Sequence, residues 1–574
     1  MQKIQPAKNP SEVTSLPLEK QKPDNFQWWV ALLVITAVAA FLRLWQLAEN
    51  PQLFNLDEMV VGYDAQSIWT TGQDHWGNFL PIHFRAFNNY LPPIANYLDV
   101  PFVGLLGMNP FAVRLPFALL GAFTVFITGL LGKRLFGPVA GLIAALLLAF
   151  EPWHMNYSRI AFHASLVPLF IACALYYFIL SLDNLKADQL NRRKAMLWIA
   201  ASGVCFGILF MTYFTEKVNA PIFALICFAA AAKTLWKEKG VLAVWIITAI
   251  VTASPVILEQ VFAWGKLSVR FNEVGILNKV PDWWRLFFQD YFSYYNPSSV
   301  FFNGFLDGVD VRPDFVGELL WLEGLLFIPA LYFIIRKPLK DVFSQRIVLL
   351  GWFFTFQIAA SLTIFSPHQV RALNFLPLPE LLAGYGAVIL WKNLKNNYLR
   401  WGVAAALSLL FVVNATVFLT GFFNEASTVY DRAQEQIPAN LVLDRAAKDS
   451  YQLLQPCDTL WFDSINNQSY IYYLFLSGYS PARFHQDAKV TTDDTYNKFE
   501  KVTRFGQVNI GQPDKTNLTQ TNLDCRSTNP GKVYWLTRQP SEEWPNTGLT
   551  WKTLQTYNTP KGQPFWSLLQ LSQS

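Results

Sequence analysis

A chain whose apolar residues arrive in blocks of about twenty has few folds open to it. Twenty helical residues at 1.5 Å each cover the roughly 30 Å hydrocarbon core of a bilayer, where a helix satisfies its own backbone. About eleven such blocks are read along this chain, near 28–48, 113–132, 138–153, 163–182, 196–214, 218–236, 241–262, 318–336, 346–365, 376–391 and 400–423. Composition agrees, with 52% hydrophobic, 16% aromatic and only 15% charged residues, which excludes a string of soluble domains. The net charge of +5 is too small to point to nucleic acid, and no such partner is expected.

Charge sets the expected orientation. Lys133 and Arg134, Arg192 to Lys194, Lys233 to Lys239, Arg336 to Lys340 and Lys392 to Arg400 fill short loops of one parity, with the Lys-rich tail 1–26 on the same side. By the positive-inside rule that side is cytoplasmic. The first block has no small-residue cleavage site and reads as an uncleaved anchor. The opposite side then receives loops 49–112 and 263–317 and, after an odd number of spans, residues 424–574. The expected domains are therefore a disordered tail 1–26, a membrane domain 27–423 and an extracytoplasmic domain 424–574. Strand-like runs at Thr459–Asp463, Arg504–Ile510, Lys532–Thr537, Trp551–Tyr557 and Phe565–Leu571, with a helix near Gln468–Leu476, make the last a small α/β domain. Cys457 and Cys525 fall in it and can pair if it faces an oxidising side; Cys173, Cys205 and Cys227 lie in predicted spans.

The chemistry-bearing residues collect on the outer side. Asp57 and Glu58 follow the anchor by about ten residues and open a predicted helix, on which Asp64 shares a face with Asp57. The bland reading is two solvated loop acids. The segment YLPPIANYLDVPFVGLLG is apolar, Pro-interrupted and short, and reads as interfacial or re-entrant. Later turns of the same side contribute Glu151, His154, Arg159 and His163, then Lys217, then His368 and Arg371. Arg371 and Lys217 are candidate anion ligands or simple membrane-border cations. Arg159 is a candidate ion-pair partner of Glu151, His154 a packing residue, and Arg43 in the first span a partner for a loop acid. There is no Gly-rich nucleotide loop, no soluble DxD pair and no Cys/His zinc spacing.

The order of an anchor helix, LDE, a long aromatic loop, YLPPIANYL and GMNPFAVRLPFALLG resembles the glycosyltransferase 39 family. That family is similar to protein O-mannosyltransferases and to the aminoarabinose transferases that modify lipid A. EPWHMNYSRIAFHASLVPLF, MTYFTEKVNAPIF and SPHQVRALNFLPLPELLAGYG extend the likeness over about 390 residues. The resemblance implies a mainly α, polytopic GT-C membrane fold and a polyprenyl-phosphate-linked sugar as donor. It implies Asp57 as the base that takes the acceptor's proton, with Glu58 in support, and Arg371 on the donor phosphate, with His368 and Lys217 as further candidates. Arg159 fits the pattern. His163 stands where relatives often carry an acid, which leaves the second acid to Glu151 or to a different acceptor chemistry. No cofactor is called for, the need for a divalent metal is left open, membrane lipids are partners, and the acceptor is left open among protein, lipid and glycan. A glycolipid flippase and an inactive membrane scaffold are the competing readings; the absence of an internal repeat and the gathering of candidates at one face favour the enzyme.

Overall fold

The computed structural model describes residues 26–51, 54–86, 89–185, 190–263, 272, 274–277, 279–305, 316–336, 345–424, 437–463, 469–493, 499–513, 531–538, 550–558, 562 and 564–572. The N-terminal tail, Cys525 and the loop lysines 186, 337 and 340 lie outside the described residues.

Each predicted span contains a helix. They are α1 (Phe26–Leu44), α4 (Pro110–Phe136), α5 (Pro138–Phe150), α7 (Val167–Asn184), α8 (Arg192–Phe210), α9 (Glu216–Lys237) and α10 (Lys239–Phe262), then α12 (Trp321–Arg336), α13 (Gln345–Thr355), α14 (Leu378–Asn393) and α15 (Asn397–Asn424). Among the described residues seven segments are helical, long and apolar enough to cross a membrane: α1, α4, α7 with the preceding turn, α8, α9, α10 and α15. The chain is thus a multi-pass membrane protein. The helices α5, α12, α13 and α14 are shorter, at 13, 16, 11 and 16 residues.

Small residues set one close helix pairing. A Cβ on Gly203 would lie 2.6 Å from the Trp245 carbonyl oxygen, and one on Gly207 2.8 Å from that of Ala249. The Gly-x-x-x-Gly spacing in α8 therefore brings its backbone against α10, where lipid offers no hydrophobic drive and packing must substitute.

Between α1 and α4, α2 (Leu56–Thr71) is followed by the short hairpin β1 (Phe84–Ala86) and β2 (Asn89–Leu91) and by α3 (Ile94–Leu106). At 13 residues with Pro101 inside, α3 reaches about 20 Å and is too short to cross a bilayer. The next connection is the six-residue α6 (Pro152–Tyr157) with a single 3₁₀ turn, His163–Leu166. Between α10 and α12 lies α11 (Trp283–Ser293).

The C-terminal region holds α16 (Ile437–Leu453), α17 (Ser469–Ser477) and α18 (Pro481–Asp487) with a seven-stranded sheet. Its strands are β3 (Thr459–Phe462), β4 (Lys489–Asp493), β5 (Phe499–Phe505), β6 (Val508–Ile510), β7 (Val533–Thr537), β8 (Trp551–Asn558) and β9 (Pro564–Leu571). They run in the order β4-β5-β6-β3-β7-β9-β8, with β3 parallel to β6 and β7 and every other pair antiparallel. The sequence reading missed α16, α18 and β4, and the expected strand Arg504–Ile510 is divided by a turn at Gly506-Gln507 between β5 and β6. Cys457 is disulfide-bonded, and Cys173, Cys205 and Cys227 are free thiols.

This region sits directly on α2. Phe54 and Phe475 rings approach to 4.9 Å, and Tyr63 donates its hydroxyl to the Tyr479 carbonyl at 3.1 Å. A Cβ on Gly62 would meet Val113 Cγ2 at 2.6 Å and Phe475 Cε2 at 2.7 Å. Gly62 is where α2 is clamped between α4 and α17.

Candidate active site

The pair Asp57-Glu58 lies in the first turn of α2, and local chemistry explains why. Asn55 is the N-cap: its side chain accepts the Glu58 N–H at 2.9 Å, and the Glu58 carboxylate accepts the Asn55 N–H at 3.1 Å. This reciprocal capping box closes two orphan donors, and both acids complement the positive end of the helix dipole. The Asn-x-x-Glu signature was present in the sequence and marks the helix start.

Glu58 is fully buried and saturated. Besides Asn55 it accepts Arg114 Nε at 2.8 Å, Arg114 Nη2 at 3.0 Å and the Ala161 N–H at 3.1 Å. Arg114 Nη1 in turn donates to the carbonyls of Leu47 and Pro51. One ion pair therefore joins the end of α1, the start of α2, α4 and the 151–166 segment. Asp57, the next residue toward the helix start, is half-buried, and the acid shown paired with Arg114 is Glu58.

Asp64 is two turns further on and fully buried. Its carboxylate accepts the His75 N–H at 2.9 Å and lies 2.6 Å from His75 Nδ1, with Asn96 Nδ2 at 3.4 Å from the other oxygen. His75 Nε2 lies 3.2 Å from the Tyr470 hydroxyl, and Asn96 Oδ1 lies 3.0 Å from His163 Nε2. A continuous polar chain thus runs His163–Asn96–Asp64–His75–Tyr470, from the 3₁₀ turn to the C-terminal region. Burial raises the Asp64 pKa against the opposing pull of His75.

Among the acids that escaped the sequence reading, Asp99 lies nearest the Glu58 cluster. Asp99, one turn after Asn96 on α3, is fully buried, and neither carboxyl oxygen has a hydrogen-bond partner among the described residues. Burial, with the Glu58 charge adding, pushes its pKa well above the usual carboxylate range. Its only sequence signal is an acid inside an otherwise apolar helix.

The 151–166 segment is buried almost throughout and ties the site together. Glu151 caps α6, accepting the Trp153 and His154 N–H groups at 3.1 and 2.5 Å. Tyr157 donates its hydroxyl to Gln369 Oε1 at 2.9 Å, two residues before Arg371. Arg159 makes no ion pair with Glu151. It donates instead to the carbonyls of Leu42, Trp45, Gln46 and Asn50, answering the orphan acceptors at the end of α1. Arg43 likewise turns inward rather than toward a loop acid, donating to the carbonyls of Ala39, Leu148 and Ala149 and lying 2.8 Å from His154 Nδ1. His154 is accordingly buried with Arg43. Both arginines cap helix ends because a buried carbonyl needs a donor as much as a buried carboxylate needs a cation.

Arg371 opens a buried 3₁₀ stretch, Val370–Phe375, that packs against the 163–166 turn. Its Nη1 donates to Thr363 Oγ1 at 2.5 Å and to the Ile364 carbonyl at 2.7 Å. The His368 N–H donates to the Tyr294 hydroxyl at 2.9 Å. Lys217 begins α9, where Nζ donates to Gln260 Oε1 at 2.7 Å. Arg371 and Lys217 are thus held by different neighbours. Among the described residues no group of three or more His, Cys, Asp and Glu side chains is arranged to hold a metal ion.

The chain resembles known proteins in sequence and in fold. Residues 91–258 match the family described as dolichyl-phosphate-mannose-protein mannosyltransferase. Over 238 residues it is 24% identical to YkcB of Bacillus subtilis (strain 168), whose mannosyltransferase assignment is itself one of name. That match covers 40% of this chain and 31% of YkcB, less than a third of the relative's length. ArnT from Cupriavidus metallidurans bound to undecaprenyl phosphate superposes with a TM-score of 0.55 at 13% identity, covering 95% of this chain and 98% of that one. The apo oligosaccharyltransferase of Archaeoglobus fulgidus also gives 0.55 at 13% identity, over 90% of this chain and 70% of its own. The chain shares its fold, the GT-C fold, with these two structures. Its long loops and C-terminal region fall within that likeness, since the ArnT match extends over almost the whole of both chains.

Proposed function

We propose that this protein is an inverting membrane glycosyltransferase that moves a sugar from a polyprenyl-phosphate donor to an acceptor on the outer face. One observation carries the reading. The first turn of α2 is fixed by a fully buried, four-times hydrogen-bonded Glu58, so that its neighbour Asp57 is presented as a half-buried acid on a rigid frame. A general base needs a fixed position more than a special pKa, because proton transfer demands hydrogen-bond reach. The family match at residues 91–258 and the GT-C fold support the donor class.

In this reading Asp57 accepts the proton of the acceptor hydroxyl as its oxygen attacks the anomeric carbon. The bond from that carbon to the phosphate oxygen breaks, and its electron pair leaves with the polyprenyl phosphate. A single in-line displacement inverts the anomeric centre. Arg371 and Lys217 hold the donor phosphate, and positioning plus charge stabilisation supply most of the catalysis. The short basic loops support a cytoplasmic N-terminus with residues 424–574 outside. The C-terminal region, packed on α2 through Gly62, Tyr63 and the His75–Tyr470 contact, borders the acceptor side.

The test is release of polyprenyl phosphate from a polyprenyl-phosphate sugar by purified protein. Asp57→Asn is expected to lower turnover by about 10²–10⁴-fold, the range of a lost general base, with unchanged thermal stability. Full turnover by Asp57→Asn overturns the base assignment, and transbilayer movement of the lipid without sugar transfer overturns the enzyme.

A further inference from the structure

The polar chain His163–Asn96–Asp64–His75–Tyr470 is buried along its whole length, and no step of the proposed reaction uses it. The Phe54–Phe475 contact, the Tyr63–Tyr479 bond and the close fit at Gly62 already dock the C-terminal region on α2. Glu58 and Arg114 already hold the start of that helix. Burying polar side chains costs desolvation that an apolar core of the same shape avoids. What a satisfied polar network adds is a single fixed arrangement of the elements it joins.

The hydrogen bonds of this chain run in one direction. Three donors converge on Asp64: the His75 N–H at 2.9 Å, His75 Nδ1 at 2.6 Å and Asn96 Nδ2 at 3.4 Å. With its amide nitrogen turned to Asp64, Asn96 presents Oδ1 to His163, whose Nε2 at 3.0 Å carries the proton. On the other side, a neutral ring that gives Nδ1–H to Asp64 accepts the Tyr470 hydroxyl on Nε2, 3.2 Å away. Tyr470 is itself held by Phe484, with ring centroids 6.1 Å apart and planes 5° from parallel. Orientation is thus passed from the C-terminal region to the 163–166 turn, with Asp64 as pivot. Both ends of the path bear on the candidate site. Asp57 opens the helix that carries Asp64, and the 163–166 turn packs against the Val370–Phe375 stretch that carries Arg371.

We infer that Asp64, Asn96 and His75, oriented by Tyr470 from the C-terminal region, are positioning residues that set the Asp57 helix against the Arg371 stretch. The inference rests on the glycosyl-transfer reading above and adds to it a requirement on the C-terminal region. These residues act through Asp57 and Arg371 rather than on the substrate. In that reading the acceptor oxygen is held at Asp57, and the anomeric carbon is held through its phosphate at Arg371. In-line attack needs the two reacting atoms about 3–3.5 Å apart and aligned. A slackened register between the two segments therefore lowers turnover more than it lowers binding of the donor.

The test measures kcat, donor KM and thermal midpoint of the purified full-length protein with a polyprenyl-phosphate sugar. Tyr470→Phe removes one hydroxyl and keeps the stacked ring. It is expected to lower kcat about tenfold, with donor KM within about twofold of wild type and an unchanged thermal midpoint. Asp64→Asn sets an amide against the Asn96 amide and reverses the bond toward His163, and Asn96→Asp sets two carboxylates together. Each is expected to lower kcat by about tenfold or more. The exchange variant, Asp64→Asn with Asn96→Asp, restores every donor and acceptor along the path: the new amide donates, and the new carboxylate accepts from it and from His163. It is expected to return to within about threefold of wild-type kcat, a rescue that bulk or stability alone does not produce. Wild type that releases no polyprenyl phosphate overturns the transfer reading itself. Active wild type matched in kcat by Tyr470→Phe, or an exchange variant no better than the single ones, refutes the positioning path and leaves the reading standing. Losses that fall on donor KM alone, or that follow a lowered thermal midpoint, refute it equally.

Discussion

Removing the carboxylate of Glu58 is expected to destabilise the protein far more than removing that of Asp57 beside it. Glu58 and Arg114 are both fully buried and share two short contacts, 2.8 and 3.0 Å. Glu58→Ala takes the carboxylate from the buried Arg114 guanidinium, whose Nη1 keeps the Leu47 and Pro51 carbonyls. Breaking one side of a buried pair costs about 3–5 kcal/mol, because the remaining charge is neither solvated nor compensated. Loss of the capping box contributes about 1 kcal/mol within that range. Glu58→Ala with Arg114→Met removes both charges and is expected to recover most of the loss. A residue of about 1–2 kcal/mol is expected to persist, because the Leu47, Pro51, Asn55 and Ala161 backbone groups lose their partners. Denaturant or thermal unfolding of the purified variants in one detergent measures the series, with Asp57→Asn as the wild-type-like reference. A Glu58→Ala protein within 1 kcal/mol of wild type, or a double variant no better than the single one, refutes the view of Glu58 as the brace of this site.

Two further outcomes follow from the same packing. Burial raises the Asp99 pKa in the folded protein well above its unfolded value, so the folded state binds the extra proton. Stability should then fall as pH rises from about 4 toward the folded pKa, by up to about 1.4 kcal/mol per pH unit; Asp99→Asn should flatten that slope, and an unchanged slope would remove Asp99 as its source. Gly62→Ala should cost about 1–3 kcal/mol and loosen the C-terminal region, since its Cβ meets Val113 and Phe475 well inside contact distance; limited proteolysis of the C-terminal region at wild-type rate would contradict this.

Much of the architecture was legible because a bilayer imposes it locally. A run of twenty apolar residues has one solution in hydrocarbon, and each predicted span contains a helix. Alternating strands are equally local, and Thr459–Phe462, Val533–Thr537, Trp551–Asn558 and Pro564–Leu571 appear where they were expected. The helix beginning near Asp57 was legible too, since its cap and acids sit within four residues.

Partnerships were not legible, and the arginines show why. Arg43, Arg114 and Arg159 look alike in sequence, as single cations near helix ends. One pairs with a carboxylate 56 positions away, while the other two cap carbonyls more than 100 positions away. His75 and Tyr470, 395 residues apart, carry no mutual signal at all. Sequence by itself determined the membrane architecture, the gathering of polar residues in loops of one parity and the Asp57-Glu58 turn, because these depend on hydropathy and on contacts within a few residues. Only the tertiary structure decided that Glu58 is the brace, that Arg159 serves backbone rather than Glu151, and that Asp99 and His75 are buried beside α2. A buried charge takes whichever partner packing brings within about 3 Å, and that choice is settled by the fold as a whole.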